Sequence, residues 1–77
     1  QEAVELESDD ADFKYVAQAW ETYQSCEKAA SQIQFLYKTN GEINAYLEKH
    51  PNGKQAEPMK ERQIWIETEL ERLEKLI

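Results

Sequence analysis

Few side chains in this sequence could do chemistry: one histidine (His50), one cysteine (Cys26) and an acidic trio (Asp9, Asp10 and Asp12). A histidine acting as general base must reach a substrate proton and be held in one orientation. His50 stands directly before Pro51, so it reads as a solvated turn residue. A nucleophilic cysteine needs a base or positive surroundings to form its thiolate. Cys26 is followed by Glu27, and its spacing to Ala30 and Ile33 reads as that of a small buried hydrophobe. The three aspartates resemble the start of a calcium loop, but the glycine and the distal bidentate glutamate are missing from the required positions. There is no glycine-rich phosphate loop and no His/Cys metal spacing. The expectation is a protein that is not an enzyme and uses no cofactor or metal.

Charge narrows the partners. Sixteen acidic residues against nine basic ones give a net charge of −7. Nucleic-acid binding rests on Lys and Arg at phosphates, so direct contact with nucleic acid is not expected. Nor is an anionic membrane surface. No apolar run approaches the ~20 residues of a membrane span. A single cysteine cannot close an internal disulfide, which points to a reducing, cytoplasmic setting. The chain begins at Gln1 and ends on Leu76-Ile77, which suggests a piece of something longer.

The elements that would position any binding side chains are helices. Only two Gly and two Pro occur among 77 residues, with 40% hydrophobic and 32% charged side chains. Residues 1–11 hold five acids and no base, and read as a disordered acidic tail that could also act as an interaction tail. From there to the end, residues 12–77 form a single helical domain. From Asp12 to Tyr37 there is no Gly or Pro, and apolar residues recur at helical spacing. The ladder Cys26, Ala29, Ile33, Leu36, Asn40, Ile43, Leu47 carries a seven-residue rhythm through Asn40-Gly41. A mid-helix glycine costs only about 1 kcal/mol, so the spacing predicts one helix over about 12–49. A break at Asn40-Gly41 is the alternative and would give a three-helix bundle. His50-Pro51-Asn52-Gly53 opens a turn over 50–57. Pro58 then starts a second helix over 58–77, whose core stripe is Met59, Gln63, Ile66, Leu70, Leu73 and Ile77.

The sequence therefore predicts an all-α fold: an antiparallel helical hairpin with a long first helix, a shorter C-terminal helix and coiled-coil-like packing. In that hairpin residues 26–47 pair with the last helix, and Phe13, Val16, Trp20 and Tyr23 overhang. Ile64 and Trp65 lie off the seam of the last helix. These six residues are the candidate protein-binding set, since exposed aromatics at helical spacing mark contacts with another chain. The expected function is a small acidic interaction or assembly module that self-associates, as a homo-oligomer, or binds another protein. A second expectation is an acidic inhibitor that occupies a nucleic-acid-binding surface of a target, with Glu67, Glu69, Glu71 and Glu74 together with the acidic tail as its contacts.

Overall fold

The computed structural model describes the backbone over residues 2–76 and the side chains of residues 9–76. The fold is all-α, with three helices: α1 (Glu2–Ser25), α2 (Ala29–Lys49) and α3 (Ala56–Glu74). Consecutive helices run antiparallel, and α2 packs against both of its neighbours. The expected tail is not a separate segment, because the α1 helix begins at Glu2 and includes Asp9, Asp10 and Ala11. Gln1 and Ile77 lie outside the described residues.

The first long helix does break, but at Cys26-Glu27-Lys28, so the expected single helix over 12–49 is corrected to two. Side chains explain the position. Thr22 Oγ1 donates to Gln18 O at 2.9 Å, and Ser25 Oγ donates to Glu21 O at 3.0 Å and to Thr22 O at 3.1 Å. Cys26 Sγ donates to Thr22 O at 3.2 Å. These groups compete for the last carbonyls of α1 and weaken its continuation. The Cys26 amide closes the end by bonding back three residues to Tyr23 O at 3.0 Å. Lys28 is extended, with φ −93° and ψ 140°, and turns the chain into α2.

Asn40-Gly41, the place weighed for a break, lies inside α2. A Cβ built at Gly41 meets nothing within 4 Å, so its cost is that of a solvated helical glycine, about 1 kcal/mol. The packed face of α2 outweighs it: Leu36, Thr39, Ile43 and Tyr46 are all buried. The turn after α2 forms as expected, with the Gly53 amide donating to His50 O at 3.0 Å. α3 then starts at Ala56, two residues earlier than expected, which leaves Pro58 in the first turn where an N–H has no intrahelical partner anyway.

The core is built from Val16 of α1, Leu36, Ile43 and Tyr46 of α2, and Met59, Ile66, Leu70 and Leu73 of α3. The expected stripe of the last helix is thus its buried face at Met59, Ile66, Leu70 and Leu73, while Gln63 is half-buried and donates to Asn44 Oδ1 at 2.7 Å. The predicted overhang is corrected by the same break. Once the chain reverses at 26–28, α1 folds back on α2, and Val16 and Ala19 become core residues.

Candidate protein-interaction surface

Three side-chain clusters decorate the bundle. At one end, α1 is fastened to the α2–α3 turn. Asp9 is buried, accepting the Tyr46 hydroxyl at Oδ1 (2.8 Å) and the Lys54 amide at Oδ2 (3.1 Å). The Tyr46 hydroxyl in turn accepts the Gln55 amide at 3.1 Å. One turn further along α1, Asp12 Oδ2 lies 2.6 Å from His50 Nε2. Phe13 stands edge-on to the Tyr46 ring, with centroids 5.6 Å apart. Burial raises the Tyr46 hydroxyl above its ordinary pKa of 10.0, the Gln55 amide works against this, and the Asp9 carboxylate adds to it.

This clasp ties α1 to the α2–α3 turn. A carboxylate and imidazole at hydrogen-bond distance can orient a proton, but acyl or group transfer also needs a nucleophile within their reach. The free thiol of Cys26, just past the end of α1, is fourteen residues from Asp12, about 21 Å by the rise of a helix. Among the described residues no three His, Cys, Asp or Glu side chains converge as a metal would require.

Aromatic rings join α1 to α3. Among the described residues no Cα of α1 comes within 8 Å of one in α3, and large side chains span the gap. Trp20 meets Trp65 edge to face at 5.5 Å between centroids, and Tyr23 lies 5.2 Å from Trp20 and 6.2 Å from Trp65. The Arg62 guanidinium sits 4.4 Å above the Trp20 ring, an attraction between cation and ring face. Burial pushes the Tyr23 hydroxyl up, and the Glu69 charge adds to the shift while Arg72 opposes it.

The third feature is a groove of about 450 Å³ between α2 and α3. Tyr37 and Asn40 line it from α2; Ile64, Thr68 and Leu70 line it from α3, with Glu67, Glu71 and Glu74 along the rim. The Tyr37 hydroxyl donates to Glu74 Oε1 at 2.7 Å, and that bond and charge raise its pKa. Asn40 Oδ1 is buried with no hydrogen-bond partner. A smaller groove between α1 and α2, about 240 Å³, carries both Lys38 and Glu42 and so has no net charge preference.

The six candidate binding residues therefore divide. Val16 is 0% exposed and belongs to the core, and Phe13 is packed against it. Trp20, Tyr23 and Trp65 are brought together in the aromatic bridge, where Trp65 remains 45% exposed. Ile64 stands apart, 66% exposed at the edge of the α2–α3 groove. The groove's partners on α2, Tyr37 and Asn40, were not in the candidate set. Tyr37 had a signal, since it neighbours the core residue Leu36 and so must point away from the seam at helical spacing.

Comparison with protein-family models, curated proteins and solved structures finds no match to this chain. Among the described residues no helix is long and apolar enough to cross a membrane.

Proposed function

We propose that this protein is a helical protein–protein interaction module that acts by packing against a partner, without catalysis and without a cofactor. One observation carries the reading: after the three helices have filled their core, Ile64, Leu76, Tyr37 and Trp65 stay exposed around α3 and the neighbouring face of α2. That many large apolar side chains left exposed on so small a bundle favour an interface. Net charge favours a partner of different sequence over a second copy, because two copies at −7 repel. The unpaired Cys26 supports a reducing, cytoplasmic setting.

The test is a photocrosslinking amino acid placed at position 64, with Glu48 on the exposed face of α2 as control. In native extract the expected outcome is a discrete adduct from position 64 and none from position 48. Sedimentation across concentration separates a partner from self-association. A strictly monomeric protein whose position-64 adducts match the control would overturn the proposal.

A second reading, the acidic mimic of nucleic acid, is favoured by Glu67, Glu71 and Glu74 sharing one rim. Glu69 does not join them and pairs with Arg72. Competition of the bound target by nucleic acid, with Ile64→Ser tolerated, would favour the mimic. Loss of binding in Ile64→Ser favours the packing module.

A further inference from the structure

The α2–α3 groove has a charge character that the bundle leaves unanswered. At about 100° per residue, Glu67 and Glu74 lie on the flank of α3 opposite Trp65, with Ile64 and Glu71 on its outer edge. Two other α3 carboxylates are partnered by cations, Glu57 by Lys60 at 3.3 Å and Glu69 by Arg72. Among the described residues no Lys or Arg pairs with Glu67 or Glu71, and no cation lines the groove. Between these carboxylates the groove offers apolar surface from Ile64, Tyr37 and Leu70. Asn40 also lines the groove, and its Oδ1 is buried without a hydrogen-bond partner.

We propose that this groove takes a helix of a partner protein that carries Lys or Arg beside its apolar stripe. The proposal rests on the interaction-module reading and deepens it by naming the partner's chemistry. Two antiparallel helices present a groove into which a further helix packs at a small crossing angle. Ile64 to Glu74 spans about 15 Å of helix, enough for nearly three turns of the occupant. An apolar stripe would cover Ile64 and Tyr37, while flanking cations would reach Glu67 and Glu71. A second copy fits poorly, since a two-fold use of this groove would set carboxylate against carboxylate.

The experiment selects short amphipathic helical peptides, randomised at the positions flanking the apolar stripe, on the intact protein. Amide chemical shifts then locate the bound peptide. Enrichment of Lys and Arg is expected, with shifts at Tyr37, Asn40 and Ile64. The combined exposed-site changes Glu67→Gln and Glu71→Gln should weaken the selected peptide about tenfold while the melting curve stays in place. Enrichment of neutral or acidic flanks, shifts centred on Trp20 and Trp65, a homodimer seated on the groove, or no selected peptide at all would each overturn the proposal. A position-64 crosslink obtained alongside any of those results would leave the interaction module standing, so the two failures are distinguishable.

Discussion

The Asp9 carboxylate and the Tyr46 hydroxyl, 37 residues apart in the chain, meet at 2.8 Å inside the bundle. Through that pair α1, α2 and the turn before α3 share one set of hydrogen bonds, because Asp9 also holds the Lys54 amide and Tyr46 holds that of Gln55. A buried carboxylate is tolerated only when donors satisfy it, and here both oxygens are used. The clasp leaves the groove on the α2–α3 flank open while fixing the turn that sets the spacing of those two helices.

Removing either partner should therefore destabilise the fold by more than a surface hydrogen bond would. Asp9→Ala leaves the Tyr46 hydroxyl and the Lys54 amide short of an acceptor, at about 2–3 kcal/mol. Tyr46→Phe leaves Asp9 buried with one donor fewer, at about 1–2 kcal/mol. Urea unfolding of both singles and the double variant should give a coupling energy of at least 0.5 kcal/mol. Strictly additive losses would mean that the two groups do not act together.

Alkaline stability follows from the direction of the tyrosine shifts. The folded-state pKa of Tyr46 is raised above 10.0, so the folded protein holds this proton more tightly than the unfolded chain. Its contribution is fully present below pH 10 and is lost as pH rises from there through the folded value. Wild-type urea midpoints should fall above pH 10, and Tyr46→Phe should fall less steeply. Tyr23, also raised, should keep a residual slope in that variant.

The two glycines should respond oppositely to alanine. A Cβ at Gly53 would collide with Asp9 Oδ2 and lie 2.5 Å from the Tyr46 hydroxyl oxygen, breaking the clasp from inside. Gly53→Ala should cost about 2–3 kcal/mol. Gly41→Ala enters open space in a helix interior and should add about 0.5–1 kcal/mol. Thermal melts of the two variants, moving in opposite directions by several degrees, check both at once.

What could be read from the sequence follows from how local each signal is. The inner face of α3 and the turn at His50-Pro51-Asn52-Gly53 were legible, because periodicity and turn chemistry act over a few residues. The break at 26–28 was not, because it has neither Gly nor Pro. It comes from hydroxyl and thiol side chains of Thr22, Ser25 and Cys26 turning onto carbonyls. Reading Cys26 as a rung of the same ladder as Ala29 hid it. That error left Val16 on a surface when it is core. The Asp9 clasp carried no local signal at all, since its partners are separated by 37 to 45 residues. Of the binding candidates, Ile64 and Trp65 were recoverable from the last helix alone. Placing Tyr37 and Asn40 at the groove needed the knowledge that α3 lies beside them.

The aromatic bridge should carry measurable coupling. Trp20 and Trp65 pack edge to face across a gap that no backbone closes, so a cycle through Trp20→Leu and Trp65→Leu should report about 0.5–1.5 kcal/mol between them. Arg62→Met keeps much of the packing and removes the cation above Trp20, with an expected loss of about 0.5–1 kcal/mol. Tryptophan fluorescence during urea unfolding reads each variant. A coupling near zero would mean that the rings share a surface without supporting one another.

The start of α2 gives the sharpest test of where the first long helix ends. Lys28 occupies the capping position in an extended conformation and its side chain caps nothing. A lysine there also places positive charge at the positive end of the helix. Lys28→Asp should supply a carboxylate acceptor for the free amides of the first turn and add about 1 kcal/mol. Ala29 is the first helical residue after an extended one, the place where proline's fixed φ and missing N–H are accepted. Ala29→Pro should then change stability by less than about 1 kcal/mol in either direction. In a helix running unbroken from 12 to 49 the same proline would remove an interior hydrogen bond and cost about 3 kcal/mol or more. A large loss in Ala29→Pro, measured by urea unfolding, would mean that α1 and α2 are one helix. It would also put Val16 and Trp20 back on an overhang, where a partner could reach them.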